Sequence, residues 1–293
     1  MRIAIYGKKI VADQTRFAED LFDCLKSFGC EIWAYSRFIE RNEASWPASF
    51  FDGVFEDRTG MEDASVEVLI SLGGDGTMLD STMLVADSGT PIMGVNFGRL
   101  GFLANIAKED VRDAVQRLVR HDFEKEPRSV LRLESERDLF DGMNFALNEV
   151  TVSRKDTTDM ITIHVYLKDQ LLNTYWADGL IISTPTGSTG YSLSCGGPIV
   201  MPGSQNFVLT PIAPHNLTVR PFVLSDQAEL RIRVEGRGSE HLVSLDSRVR
   251  TITSEDELIL KRSPFDINLV RFSGQTFSET LRNKLMWGID KRN

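Results

Sequence analysis

Residues 70–79 read ISLGGDGTML. The stretch begins inside an apolar run that ends at Leu72, and three glycines within four residues surround one acidic residue, Asp75. Glycines that follow a strand let the backbone turn sharply or come close to a ligand. Because a carboxylate repels phosphate, the position of Asp75 calls for a role other than direct phosphate binding.

The segments around this turn alternate between strand and helix. Apolar runs and helical spacing predict strands at 2–6, 30–35, 66–72 and 91–96, and helices at 17–28, 77–87 and 108–122. Gly29 stands where a helix C-cap glycine belongs. This βαβ order predicts an α/β N-terminal domain with a parallel sheet, over residues 1–125.

After Pro127 the pattern changes to short alternating or apolar β segments separated by turns. It predicts a β-rich C-terminal domain over residues 126–275, largely antiparallel and including the DINLVRF segment (266–272). Helical spacing returns in SETLRNKLMWGID (278–290). We expect this final helix, within residues 276–293, to pack back on the first domain.

The composition is that of an ordinary globular protein, with 42% hydrophobic and 26% charged residues among 293. A net charge of -9 argues against a nucleic-acid partner, which would need a basic face. The N-terminus has too short an apolar core for a signal peptide, and no segment reaches the roughly 18 apolar residues of a membrane span. A cytoplasmic protein without a membrane partner is expected.

The cysteines and histidines give no sign of a metal site. Three cysteines have neither metal-ligand spacing nor an even disulfide set, and four histidines are scattered. We therefore predict no metal site formed by side chains, and cysteines that serve as small buried hydrophobes.

The glycine turn is better explained as a phosphate-cradling turn than as a packing device, because it follows a buried strand and precedes a helix. The chain has no G-x-x-x-x-G-K-[ST] P-loop. It also has no G-x-G-x-x-G after its first strand, where only Gly7 precedes two lysines. An ordinary NAD-dependent dehydrogenase is therefore unexpected.

Two further stretches carry suitable chemistry. DGLIISTPTGSTGYSLSCGGPIV (178–200) could be a flexible polar loop, but apolar segments hold both of its ends. Its small residues offer amides and hydroxyls to a ribose or a phosphate. The pair Asn148–Glu149 interrupts a strand, as solvent-facing strand ends often do. An amide can also bond an adenine edge, and a carboxylate can accept from two vicinal ribose hydroxyls.

Together, the three stretches resemble the NAD kinase family of bacterial type. GGDG, the Asn-Glu pair and the Gly/Ser/Thr-rich stretch occur in the family's order and spacing, and NFGRLGFL (96–103) resembles its glycine-rich segment. The resemblance runs from about Val66 to the end of the chain. GGDGT alone is less specific, because diacylglycerol, sphingosine and phosphofructo-kinases share it.

The resemblance implies an active site in the cleft between the two domains and a homodimer or homotetramer. It implies phosphoryl transfer from ATP to the 2′-hydroxyl of the adenosine ribose of NAD, giving NADP. A divalent cation, Mg²⁺, would be carried by the nucleotide. Asp75 would act as the general base that takes the hydroxyl proton.

The resemblance also implies a set of substrate-binding positions, which are Asp75, Gly76, Asn148, Glu149, Asp159, Trp176, Asp178, Thr189, Gly190, Tyr191, Ser192, Leu193, Ser194, Ala213 and Arg248. Four positions depart from the usual family residue, namely Asp159, Trp176, Gly190 (usually alanine) and Arg248 (usually Gln or Asn). These departures bear on fine specificity, such as NAD against NADH.

Two alternatives stay open at this point. A lipid or sphingoid kinase shares GGDGT but usually follows it with a P-x-G-T-x-N-type stretch, whereas this chain has PIMGVNFGRLGFL (91–103). A non-catalytic NAD(P) sensor would keep the fold without the reaction.

Overall fold

The computed structural model describes residues 1–98, 101–156 and 160–286. The chain forms two compact units, of which the first contains Met1–Pro127 together with the segment from Ile267 onward. The second contains Arg128–Asp266. Within these described ranges, no helix has the length and apolarity needed to cross a membrane.

The helices in chain order are α1 (Ala12–Ser27), α2 (Ser36–Asn42), α3 (Arg58–Asp63), α4 (Asp75–Val85), α5 (Val111–Val119), α6 (Tyr191–Ser194) and α7 (Phe277–Leu285). The strands are β1 (Arg2–Gly7), β2 (Glu31–Tyr35), β3 (Gly53–Phe55), β4 (Val68–Leu72), β5 (Ile92–Asn96), β6 (Ile106–Ala107), β7 (Glu124–Arg128), β8 (Leu131–Glu134), β9 (Phe145–Ala146), β10 (Glu149–Arg154), β11 (Ile161–Leu167), β12 (Gln170–Ala177), β13 (Gly179–Ser183), β14 (Asn206–Ile212), β15 (Phe222–Ser225), β16 (Leu230–Glu235), β17 (His241–Leu245), β18 (Arg248–Ile252), β19 (Leu258–Arg262) and β20 (Ile267–Arg271).

The first unit is built on one sheet of order β3-β2-β1-β4-β5-β20-β7, with β6 also paired to β5. The pairs among β1 to β6, and the β5–β20 pair, are parallel. Strands β4 and β5 are buried along their whole length, as expected for a sheet covered by helices on both faces. The fold confirms the predicted α/β domain.

The predicted end of the β-rich domain is wrong. Strand β20 was assigned to the second domain, but it lies parallel to β5 in the first sheet, with Leu269 opposite Ile92. An alternating apolar strand shows which of its faces is buried but does not show which sheet it joins. Helix α7 groups with the first unit, and the ring centroid of Phe277 lies 6.4 Å from that of Phe102.

The second unit contains two antiparallel sheets around a shared apolar core. Their orders are β15-β14-β13-β10-β17-β18 and β12-β11-β16-β19-β8-β9. Along β11 and β16, buried residues alternate with more exposed ones, so each strand turns one face to the core. The core draws on both sheets, for example through Val150 and Ile163, which are fully buried. This unit confirms the predicted β-rich domain.

Candidate active site

The GGDG turn lies at the carboxyl edge of the first sheet. Gly73 adopts φ +150°, and a β-carbon there would lie 2.4 Å from Thr77 Oγ1, so the turn requires glycine. Strand β4 ends at Leu72, opposite Gly7 at the end of β1. The strand order reverses between β1 and β4. In open α/β sheets, ligands bind outside the carboxyl ends of the strands at such a switch point.

The carboxylate of Asp75 is held by three consecutive backbone amides. The Phe102 amide donates to Oδ2 at 2.8 Å, and the amides of Leu103 and Ala104 donate to Oδ1 at 3.0 Å each. A carboxylate has about four lone-pair positions, so roughly one on Oδ2 is left over. The N-cap residue of α4 is Gly74, which has no side chain with which to cap the helix. The carboxylate is therefore fixed in place and retains capacity to accept one further hydrogen.

Gly101 allows this close approach. A β-carbon at position 101 would lie 1.9 Å from Asp75 Oδ1, so a larger residue would displace the carboxylate. The glycine-rich NFGRLGFL stretch thus contributes the loop that orients Asp75. Arg99 and Leu100 in the same stretch lie outside the described residues.

In the second unit, the turn that follows β13 packs on the Asn148–Glu149 pair. A β-carbon at Gly187 would lie 2.1 Å from the Asn148 carbonyl oxygen. A β-carbon at Gly190 would lie 3.1 Å from Glu149 Oε2 and 3.4 Å from Asn148 Nδ2. The Tyr191 amide donates to the Glu149 carboxylate. The structure therefore brings together the Asn-Glu pair and the start of the 189–194 stretch, which the sequence identified separately.

Both side chains of the pair carry an unused polar atom. Asn148 Oδ1 and Glu149 Oε2 are buried without a hydrogen-bond partner in the protein. Burial, and secondarily the nearby carboxylate of Asp246, raises the pKa of Glu149 to about 8, and the Tyr191 amide opposes this shift. Buried polar groups are normally hydrogen-bonded, so unpartnered atoms suit a site that a polar ligand completes.

Other predicted positions lie around the ends of β12, β13 and β14. The Asp178 carboxylate pairs with Arg154 at 3.0 Å, and its amide donates to the Ile212 carbonyl. Ala213 has φ +44°, and Trp176 is 55% exposed. Asp178 also contributes to the electrostatic environment of Tyr191, which connects these positions with the 189–194 stretch.

The remaining predicted residues differ in their hydrogen bonds and in their exposure to solvent. The Thr189 hydroxyl donates to the Thr186 carbonyl at 3.1 Å, and the buried Ser192 hydroxyl lies 2.8 Å from Thr210 Oγ1. These two hydroxyls therefore support the turn itself. Leu193 is half-buried, whereas Gly76 and Ser194 are exposed.

The Arg248 side chain extends along its own domain. Its guanidinium donates to the carbonyls of Met143 and Phe145 and lies over the rings of Phe140 and Phe145, 5.7 Å from each centroid. The arginine is therefore accommodated by backbone acceptors and aromatic faces. Asp159 lies outside the described residues, so its predicted role stays a prediction.

Sequence reasoning missed several residues that shape the site. Asp246 and Thr184 bond the backbone around the Asn-Glu pair, and Gly101 approaches Asp75. Thr184 lay inside the quoted Gly/Ser/Thr-rich stretch, which was the available signal. Asp246 carries no such signal, since aspartate is common in turns where φ is positive. In the described part of the chain, no group of three or more His, Cys, Asp or Glu side chains is arranged to hold a metal.

Two groups of residues form the candidate site, namely the GGDG turn with Asp75 and the Asn148–Glu149 pair with the 189–194 stretch. Together with the fold, they indicate a two-domain nucleotide-binding protein. Comparison with known families makes this specific, because residues 3–123 match the ATP-NAD kinase N-terminal domain and residues 147–272 match the ATP-NAD kinase C-terminal domain. The chain belongs to the ATP-NAD kinase family.

Individual relatives agree with this placement. The chain is 47% identical over 295 residues to an NAD kinase of Flavobacterium johnsoniae, covering 100% of both chains. In fold, it is similar to yeast NADH kinase complexed with NADH, with a TM-score of 0.85, 20% identity and coverage of 99% of this chain and 88% of that one. It is also similar to an NAD kinase from Archaeoglobus fulgidus in complex with ATP, with a TM-score of 0.74, 24% identity and coverage of 98% and 99%.

Proposed function

We propose that this protein is an NAD kinase, which transfers the terminal phosphoryl group of a nucleoside triphosphate to the 2′-hydroxyl of the adenosine ribose of NAD and gives NADP. The full-length similarity to a curated NAD kinase supports the reaction. The observation that carries the catalytic assignment is the geometry of Asp75, whose carboxylate is fixed by three amides and keeps one lone pair on Oδ2.

In the proposed step, the ribose oxygen attacks the γ-phosphorus and its proton passes to Asp75. The new bond joins the 2′-oxygen to phosphorus, and the bond between phosphorus and the β,γ-bridging oxygen breaks, with its electron pair leaving on the diphosphate. Such transfers depend mainly on positioning and on charge stabilisation. Rigid attachment of the carboxylate suits a base that must meet the attacking hydroxyl in one geometry.

A divalent cation is expected in this reaction, and we propose Mg²⁺. The donor's phosphate oxygens provide the hard ligands that this ion prefers, so it would arrive with the nucleotide. Its contribution would be to neutralise charge on the phosphates during transfer. The acidic chain, with its net charge of -9, makes such neutralisation more important.

A coupled assay tests the function directly. Protein, NAD, ATP and Mg²⁺ are mixed, and NADP is followed with an NADP-specific dehydrogenase, with polyphosphate in place of ATP and NADH in place of NAD as parallel arms. NADP formation is expected with at least one donor. Absence of NADP with every donor, in protein that still binds NAD, would support the sensor alternative. The lipid-kinase alternative is disfavoured, since both family matches are to ATP-NAD kinase domains.

Above pH 8, where Glu149 is ionised, we expect Glu149→Gln to raise the KM for NAD by roughly 10-fold, because one charge-assisted hydrogen bond to a ribose hydroxyl is lost. Because the pKa of the Glu149 side chain is about 8, the KM for NAD should also depend on pH. The ionised carboxylate accepts from both hydroxyls, so the wild-type KM should fall as pH rises toward 8 and level off above it. Steady-state kinetics from pH 6.5 to 9 measure both effects.

The glutamine variant supplies the control for this titration, because its side chain does not ionise. Its KM should change little over the same pH range. An unchanged KM with a collapsed turnover would show that the pair has a different task from holding the adenosine half of NAD.

We propose further that the protein is a cytoplasmic homo-oligomer, a dimer or a tetramer. Its cysteines Cys24, Cys30 and Cys195 are free thiols, as is usual in a reducing compartment. Large apolar side chains are exposed on edge strands of the second unit, including Leu171 on β12 and Phe222 on β15. Apolar side chains at sheet edges suit an interface between copies. Sedimentation equilibrium measures the subunit number, and a monomer at all concentrations would contradict the proposal.

A further inference from the structure

The loop between β17 and β18 directs a carboxylate at the strand that carries the Asn-Glu pair. Asp246 accepts hydrogen bonds from three consecutive amides, those of Leu147 at 2.9 Å, Asn148 at 2.8 Å and Glu149 at 3.2 Å. Its own amide donates to the Glu149 carbonyl at 3.0 Å. One residue thus contacts the segment through both its side chain and its backbone.

Thr184 holds the opposite side of the same segment. Its hydroxyl donates to the Leu147 carbonyl at 2.6 Å, and its amide donates to the Asn148 carbonyl at 2.9 Å. Every backbone N–H and C=O of residues 147–149 therefore has a partner. The side-chain oxygens Asn148 Oδ1 and Glu149 Oε2, by contrast, are buried and unpartnered. The backbone is fixed without using the atoms that a ligand would need.

We propose that Asp246, opposed by Thr184, is a positioning residue for NAD binding, which fixes the backbone of residues 147–149 so that the Asn148 and Glu149 side chains face the adenosine half of the substrate. This inference rests on the proposed function. Preorganised side chains bind without the cost of ordering them on ligand arrival. Asp246 acts through the pair and does not itself touch the substrate.

The chemistry of position 246 favours a carboxylate over an amide. Three N–H donors converge on two oxygens, and both oxygens of aspartate accept. In asparagine, one of these oxygens becomes an NH₂ group that faces a backbone N–H, so one bond is replaced by a repulsive contact. Burial raises the pKa of the Asp246 carboxyl, and the three amides of residues 147–149, followed by the charge of Arg248, oppose this shift.

The test is Asp246→Asn, with NAD affinity measured by calorimetric titration at pH 9 in the absence of a phosphoryl donor. The Asp246 charge helps to raise the pKa of Glu149 to about 8, so at pH 9 Glu149 is mostly ionised in wild type and variant alike. We expect the Kd for NAD, and the KM for NAD, to rise roughly 10-fold, because part of the binding free energy must then be used to order residues 147–149. The kcat and the KM for ATP should stay within about 3-fold of wild type, because the lost interaction serves NAD in ground and transition states alike.

Asp256→Asn is the matched control. Asp256 is also a turn carboxylate in the second unit, and it accepts from the Thr253 amide at 2.8 Å and pairs with Arg137. It makes no bond to residues 147–149, so its loss should lower the melting temperature and leave the Kd for NAD unchanged. A purely structural role of Asp246 predicts the same result for both variants.

The outcomes distinguish a failure of the positioning role from a failure of the proposed function. A wild-type Kd in folded Asp246→Asn, or an equal rise in Asp256→Asn, would overturn the positioning role. If Asp246→Asn does not fold, Thr184→Val removes the opposing hydroxyl with little change of shape, and an unchanged Kd in that variant would overturn the role as well. Failure of wild-type protein to form NADP while it binds NAD would overturn the proposed function and leave the positioning measurement intact.

Discussion

Replacing Asp75 with asparagine is expected to lower turnover by roughly 10²–10⁴-fold, the usual range for loss of a general base. The amide oxygen can still accept from Leu103 and Ala104, as Oδ1 does now. The new NH₂ group, however, takes the place of Oδ2, the oxygen that receives the Phe102 amide and keeps the lone pair proposed to take the ribose proton. NAD affinity should survive, since the other residues proposed to bind the dinucleotide, Asn148 and Glu149 among them, are unchanged.

Turnover, NAD affinity and melting temperature are measured on the same variant. Asp57→Asn is the matched control, because the Asp57 carboxylate caps α3 by accepting from the Gly60 amide at 2.9 Å, and asparagine caps about as well. It should behave as wild type. If Asp75 served only to anchor the loop 102–104, the variant would lose thermal stability without a selective loss of kcat. Near-normal turnover would remove Asp75 from the mechanism.

Gly187→Ala is expected to reduce kcat/KM for NAD by roughly 10²-fold, the size of effect that a displacement of about 1 Å in a binding group produces. A β-carbon at this position would lie 2.1 Å from the carbonyl oxygen of Asn148 and 2.7 Å from its Cα. Both are backbone atoms that cannot rotate aside. The strand carrying Asn148 and Glu149 must therefore shift, and the side chains proposed to hold adenosine shift with it.

Kinetics with circular dichroism as a check of folding measure this effect. Gly238→Ala is the control in the same unit, because the nearest atoms to its β-carbon would lie 3.8 and 3.9 Å away and its backbone needs no positive φ. It should leave kcat/KM unchanged. A normal kcat/KM in folded Gly187→Ala would show that the placement of Asn148 is not critical for NAD.

Local patterns in the sequence were sufficient for the fold class and the family. Apolar runs and helical spacing predicted the strands and helices that alternate around the GGDG turn, because side-chain burial follows the period of each element. The chemical kinds of residue in three stretches were enough to indicate the NAD kinase family. These features depend on neighbours within a few residues, and a single sequence displays such neighbours directly.

Only the tertiary structure determined which strands and hydrogen-bonding groups far apart in the sequence pair with each other. It placed β20 beside β5, although its alternating pattern fits either unit. In the folded chain, the Asp75 carboxylate accepts hydrogen bonds from amides 27 to 29 residues away, and the Asp246 carboxylate accepts from amides 97 to 99 residues away. A backbone amide has the same chemistry whatever its side chain, so no residue type marks which carboxylate it will meet. The path of the folded chain sets those contacts, and they hold Asp75 and the Asn148–Glu149 pair in position.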